Sequence, residues 1–465
     1  MQTRNIKIAY IGGGSKQWAR IFMNDLALTQ GLTGEIALYD TDREAALLNK
    51  RIGERINALP ETVSRWEYGV YETLEGALQN ADFVIISILP GTFEEMESDV
   101  HAPEQLGIYQ SVGDTAGPGG ILRAMRTVPL FEGFAREIAR HCPEAWVLNL
   151  TNPMSICVKA LYGAFPQIKA FGCCHEVFHA QDFLCAVIQE ICGVPRPNRR
   201  EIYTDASGVN HFTWITQAQY GDLDILSLLP EFIERFFEQG YCERKGVGPQ
   251  DYQTDVFRSG NKVKMDLYRR YGALGAAGDR HLAEFMNGRW YMQSPEHVKA
   301  WGFHLTDVGF RKRRQNERIQ ESVASAEGKM PVRLQQSDEE LIDLIKAILG
   351  MGTVVSNVNL PNSGQMPGLP LGSIVETNCV FSHNSVKPVV AKRLPAAAHA
   401  LVTRACLNIE SAYEGIVKRD LDRIFAAFMD QPLCAPLSLS DGRALFRKMI
   451  ENTRPFLEPY YRLDA

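Results

Sequence analysis

The sequence has no long uninterrupted apolar run, no block of like charge, no internal repeat and no low-complexity tract. The first absence argues against a helix crossing a bilayer, which needs about 20 apolar residues in succession. The second gives no reason to expect nucleic acid as a partner, because the formal net charge of −6 comes from interspersed Asp, Glu, Lys and Arg. The opening stretch MQTRNIKIAY lacks the apolar region of a signal peptide, so a cytoplasmic protein with no membrane partner is expected. Ten cysteines are present without the regular spacing of a secreted scaffold. In a reducing compartment they are expected to be free and mostly buried, with one available as a ligand. Cys173 and Cys174 make a poor disulfide pair, since neighbouring strand residues project to opposite faces.

What remains is ordinary globular composition: 465 residues, 45% hydrophobic and 22% charged. Such a chain can bury two or three cores, and disordered and fibrous classes are poor explanations. An apolar strand from Ile6 to Ile11 leads into Gly12-Gly13-Gly14-Ser15, a helical stretch from Trp18 to Thr29, and a second strand from Glu35 to Tyr39 that ends in Asp40. Further strands are expected at Asp82 to Leu89, Ala145 to Leu150 and Lys169 to Cys173, with helices at Ile121 to His141, Met154 to Gly163 and Val177 to Ile191. This alternation predicts an α/β fold, a Rossmann-like, doubly wound parallel sheet covered on both faces. Pro195 and Pro197 mark a boundary, so a nucleotide-binding domain over 1–195 and a mixed α+β domain over 196–465 are expected. The second carries a strand-rich stretch from Glu201 to Tyr220, helices at Leu223 to Glu238, Asp338 to Leu349 and Ala396 to Tyr413, and a structured irregular segment from Leu360 to Gly372.

Glycines after a first strand let the backbone turn tightly against a pyrophosphate whose charge is held at the next helix N-terminus. Gly12, Gly13, Gly14 and Ser15 fit that role, although Ile-Gly-Gly-Gly-Ser is not the complete GxGxxG pattern and a plain turn is the bland reading of the glycines alone. Asp40 is placed to accept from a ribose diol and to repel a 2′-phosphate, which favours NAD over NADP. In Leu148-Asn149-Leu150-Thr151-Asn152-Pro153, Asn149 is a cofactor candidate and Asn152 could reach a substrate hydroxyl; the alternative for Asn152 is a turn former before proline. Cys174-His175-Glu176-Val177 ends the next strand, and Gly208-Val209-Asn210-His211 opens the second domain. A thiolate at Cys174 and an imidazole at His211 could share one divalent metal, while either alone is usually structural.

These segments together resemble glycoside hydrolase family 4, the NAD- and manganese-dependent glycosidases, from about residue 5 at least to about residue 285, beyond which the resemblance is diffuse. The resemblance implies a lactate/malate dehydrogenase-like architecture and Mn²⁺ held by Cys174 and His211. The Cys-His-Glu-Val version of the motif is similar to that of α-galacturonidases, and implies an α-galacturonide substrate ahead of an α-glucoside, α-galactoside or α-glucuronide. It also implies a redox-elimination-addition route: C3 is oxidised by NAD⁺, the C2 proton is removed, the C1 aglycone leaves, water adds, and C3 is reduced again. The best match for the base is Asp279 in Gly275-Ala276-Ala277-Gly278-Asp279-Arg280, with an exposed turn aspartate as the alternative. Where phospho-glycosidases carry an acidic Asp after the cysteine this chain has His175, so the acid is His175 or Glu176, or a good leaving group departs without either. A substrate carboxylate needs a cation, for which Arg280 and Arg123 or Arg126 are candidates. Family members imply a homodimer or homotetramer.

Two other classes compete. His175-Glu176-Val177-Phe178-His179 matches the HExxH pattern of a zinc protease, which would leave the glycines, Asp40 and the αβ alternation without a purpose. An NAD-dependent 2-hydroxy acid dehydrogenase shares the nucleotide fold and would show net oxidation by stoichiometric NAD⁺, but leaves Cys174 and His211 idle. A protein that only binds NAD as a sensor is the third possibility.

Overall fold

The computed structural model describes residues 3–243 and 255–463. Thirteen strands form one sheet: β1 (Arg4–Ile11), β2 (Leu32–Tyr39), β3 (Trp66–Val70), β4 (Phe83–Ile86), β5 (Trp146–Asn149), β6 (Lys169–Gly172), β7 (Tyr203–Val209), β8 (Phe212–Tyr220), β9 (Leu223–Asp224), β10 (Leu274–Gly275), β11 (Val354–Pro361), β12 (Ile374–Ser382) and β13 (Ser385–Pro388). The order β6-β5-β4-β1-β2-β3 is all parallel, with each crossover made through a helical connection. That is the Rossmann order, and its switch point falls between β1 and β4.

The division expected at residue 195 does not interrupt the sheet. β6 pairs antiparallel with β11 through Gly172 and Asn359, and β11, β12, β7, β8 and β10 continue it as an antiparallel extension. One row of paired residues crosses nearly the whole sheet: Tyr39, Ile11, Ile86, Asn149, Gly172, Asn359, Glu376, Gly208, Thr213. Asp40, Gly12, Leu150 and Cys173 follow this row directly, which is why glycines and motifs far apart in sequence start from one line.

Strand alternation sets the two main cores. Ile6, Ile8 and Tyr10 of β1 pack with the helices Trp18–Ala27 and Arg43–Asn57, whereas Ala9 and Ile11 face the helices Gly117–His141 and Met154–Ala164. The first layer is completed by the helix Leu341–Ile348, so a segment from late in the chain covers the nucleotide-binding half. A third core joins β7 and β8 to the helix Glu176–Cys192. Its neighbourhood corrects one expectation: Leu223 to Glu238 is a short strand, a 3₁₀ turn at Ile225–Leu228 and a helix at Leu229–Phe236. The Asp224 side chain accepts from Leu226 N–H, and Pro230 in the first turn starts the helix late. No helix among the described residues is long and apolar enough to cross a membrane.

Candidate active site

The glycine turn sits at the switch point. Gly12 has φ 94°, and a Cβ there would lie 2.0 Å from the Ser87 carbonyl oxygen, so only glycine fits between the ends of β1 and β4. A Cβ on Gly13 or Gly14 would fall 2.8 Å from Leu38 Cβ or 2.7 Å from Ala45 Cβ. Ser15 Oγ accepts the Trp18 amide at 3.1 Å, helping to start the helix. Asp40 stands at the end of β2, its Oδ2 accepting from Gly14 N–H at 2.8 Å and its Oδ1 from Asp42 N–H at 2.9 Å. Asn149 differs from the expectation of a cofactor contact. It is fully buried and spends both ends of its amide on the Thr151 backbone, at 3.0 Å each, so it shapes the turn that presents Asn152.

His211 lies in the two-residue loop between β7 and β8 with φ 63°, a conformation non-glycine residues seldom adopt. This turns its imidazole inward: Nδ1 is 3.0 Å from Thr115 Oγ1, and its ring centre is 3.8 Å from that of His281. Burial first, and His281 next, lower His211 to about 3, so it is a neutral imidazole suited to a metal. Ligand atoms of Asp114, His211 and His281 all lie within 4.8 Å of one another. Burial works to raise Asp114, but Arg123, His211 and His281 outweigh it and hold the carboxylate at about 2. Asn152 completes this side, with Nδ2 3.5 Å from Asp114 and a buried Oδ1 that has no partner among the described residues.

Cys174 is buried against Met154, Val158 and Ile374 and stands outside the His211 group of three. Burial, then Glu376 and Glu176, push its thiol well above the ordinary value, whereas Asn210 opposes them. His175 stacks on Trp18 with centroids 5.6 Å apart and lies 3.8 Å from Glu176 and 3.5 Å from Glu339. Glu176 accepts the Gly278 amide at 2.6 Å, and its other oxygen is 3.8 Å from His281. Burial would raise it, yet His281, His179, His175 and His211 together hold it far below the carboxylate range. The ligand atoms of His175, Glu176 and His179 also lie within 4.8 Å of one another, but the triplet begins where β6 gives way to the helix Glu176–Cys192, beside the His211 group.

Asp279 is fully buried, unlike a solvent-exposed turn residue. Its oxygens accept from Val263 and Lys264 N–H, both at 3.0 Å, and tie its turn to the helix Lys262–Tyr271; burial raises its carboxyl to about 6. The side chain of this turn that meets His211 and Glu176 is His281. Among the arginines, Arg126 is removed from the substrate candidates, because it forms a buried ion pair with Asp99. Arg123 donates to the Asn152 carbonyl at 3.0 Å, and Arg280 to the Ser111 carbonyl at 3.1 Å and to Thr306 Oγ1 at 2.9 Å.

Asp114, Thr115 and His281 were missed from sequence, although Gly113-Asp114-Thr115-Ala116-Gly117-Pro118 is a turn-rich stretch ahead of a long helix. Nothing in their spacing announces that they meet His211.

A family model described as family 4 glycosyl hydrolase matches residues 7–190, and one described as its C-terminal domain matches residues 206–434. The chain belongs to glycoside hydrolase family 4. It is therefore an enzyme, a glycosidase, and the protease and dehydrogenase readings fall away. A relative named alpha-galacturonidase from Thermoanaerobacterium saccharolyticum is 48% identical, covering 98% of this chain and 97% of its own. A crystal structure from Bacillus subtilis is 44% identical with TM-score 0.91, covering 96% of this chain and 100% of that one. The fold extends to a 6-phospho-alpha-glucosidase from gut microorganisms solved in complex with NAD and Mn²⁺, at 18% identity and TM-score 0.78, covering 97% of this chain and 99% of that one.

Proposed function

We propose that this family 4 enzyme hydrolyses α-galacturonides, with NAD and a divalent metal, manganese, as cofactors. The substrate class rests above all on the full-length similarity to an alpha-galacturonidase, together with the Cys174-His175-Glu176-Val177 motif. The residues fit both cofactors. The crevice at Gly12 admits no side chain, Asp40 ends β2 beside it, and the neutral His211 shares a buried pocket with Asp114 and His281, a mixed nitrogen and oxygen donor set. His211 and Asp114 would hold the metal, joined by Cys174 from outside that group of three, which leaves His281 free of the ligand role.

When bound, NAD would supply a reversible hydride acceptor for C3 and the metal a Lewis acid at the C3 oxygen, which would make the C2 proton acidic. Asn152 offers its unpartnered Oδ1 to a sugar hydroxyl. Glu176 lies far below the usual carboxylate range and so has no proton to give, which leaves His175 to protonate the departing C1 oxygen. Proton removal at C2 is assigned to the Asp279–His281 turn, with His281 ahead of Asp279 because its side chain faces His211 whereas the Asp279 carboxylate is engaged by two backbone amides.

The test is release of nitrophenol from nitrophenyl α-galacturonide under reducing, low-oxygen conditions, with NAD⁺ and Mn²⁺ each present or omitted and with α-galactoside and α-glucoside alongside. Cleavage of the uronide alone, lost without either cofactor and with no net NADH, is expected; preferential cleavage of a neutral glycoside overturns the substrate class. We further propose a cytoplasmic homodimer or homotetramer, in keeping with ten free cysteines, which light scattering of the purified protein checks for mass.

A further inference from the structure

Three arginines converge on the side of the site bounded by Asp114, and two are already committed. Arg123 is bonded to the Asn152 carbonyl, and Arg280 to Ser111 and Thr306. The third, Arg311, lies in the first turn of the helix Val308–Ala326. Among the described residues its guanidinium has no ion pair and no side-chain hydrogen bond. Its central carbon is 5.6 Å from the centre of the Phe257 ring, and that of Arg280 is also 5.6 Å away, so the two cations share one aromatic ring that is itself 53% exposed.

Among the described residues, the charges around it do not balance. Arg123, Arg280 and Arg311 bring three positive charges, against carboxylates at Asp114 and Glu176. Glu284 accepts from the Val112 and Gly113 amides and, among the described residues, forms no ion pair with any of the three arginines. Asp114 attracts Arg311 without forming an ion pair with it, and a half-buried guanidinium with no directly paired anion is costly unless a ligand supplies one. A carboxylate is the natural one, since its two oxygens match two guanidinium N–H groups.

We propose that Arg311 pairs with the C6 carboxylate of the galacturonosyl ring, with Arg280 fixed beside it, and that Arg311 thereby sets the preference for a uronide over the neutral galactoside. This rests on the α-galacturonide reading above. Arg311 differs from Arg123 and Arg280 in having its donors uncommitted among the described residues.

The experiment compares wild type, Arg311→Gln and Arg311→Lys. It measures kcat and KM on nitrophenyl α-galacturonide, and calorimetric binding of galacturonate and of galactose without turnover. Arg311→Gln is expected to lose on the order of 100-fold in galacturonate affinity and in kcat/KM, chiefly through KM. Arg311→Lys should recover about a tenth of the loss-free value as a point charge without the fork, and galactose binding should not change. Should Arg311→Gln fail to fold, Arg311→Lys decides alone: a raised KM with kcat retained supports the assignment, and an unchanged KM overturns it. A wild type that binds and cleaves the uronide while Arg311→Gln does so equally well overturns the role of Arg311 only. A wild type that neither binds galacturonate nor cleaves the uronide overturns the substrate class, and this inference with it.

Discussion

Glu284 offers a quantitative test of how burial shapes the site. Its side chain is 1% exposed and accepts N–H from Val112 at 2.7 Å and Gly113 at 3.0 Å, thereby holding the loop that carries Asp114. Burial raises the carboxyl from 4.5 to about 8, with Asp114 adding to the rise and the two amides and Arg280 opposing it. Folding therefore takes up a proton at this residue between those two pH values. The raised pKa contributes stability that is complete below pH 4.5, falls as pH rises, and is exhausted once pH passes about 8. The slope over that window is about 1.4 kcal/mol per pH unit. Glu284→Gln keeps an oxygen for both amides and removes the linkage. In urea unfolding of the metal-free protein between roughly pH 5.5 and 7.5, the variant should gain about 3 kcal/mol relative to wild type. Other titrating groups, including the buried Glu376, cancel in this difference. A stability gap that stays constant across the window would refute the claim that Glu284 is protonated in the folded enzyme.

Arg126→Ala should cost about 3–5 kcal/mol, read from the unfolding midpoint, because it strands the fully buried Asp99; a loss below about 1 kcal/mol, the size of a surface pair, would contradict that. Gly12→Ala should abolish NAD binding by fluorescence titration, since its Cβ would fall 2.0 Å from the Ser87 carbonyl; unchanged affinity would mean the dinucleotide lies elsewhere. His211→Asn, chosen because asparagine tolerates the left-handed conformation of that loop, should leave melting of the metal-free protein nearly unchanged while elemental analysis shows manganese lost. His281→Asn should slow solvent exchange of the substrate C2 proton on the order of 100-fold, whereas Asp279→Asn should lower stability more than exchange by loosening the Lys262–Tyr271 helix; the opposite pattern assigns the base to Asp279.

Five of the six parallel strands were legible because each carries a clear apolar run, whereas β3 and the helix Arg43–Asn57 were not anticipated. The helix Met154–Ala164 and strand β6 lie within a residue of where apolar spacing put them. The helix from Leu223 was misplaced because its apolar residues suit a helix, while Asp224 and Pro230 act through single hydrogen-bond and steric constraints. Likewise Asn149 and Asp279 are residue types expected at a site, but each has its polar atoms taken by nearby backbone.

By itself the sequence determined the nucleotide-binding half, the glycine turn with its terminal Asp40, the family motifs and, through them, a class of reaction. These are local features, carried by residues a few positions apart whose geometry follows from one strand, turn and helix. Only the tertiary structure decided that the sheet runs unbroken past residue 195, that Leu341–Ile348 covers the first layer, and that Asp114 and His281 meet His211. It also decided that Arg126 is engaged by Asp99 while Arg311, stacked on Phe257, is left without an ion pair among the described residues. The reason is physical: whether a buried charge is paired or free depends on which other side chains the fold packs against it, and no spacing along the chain records that.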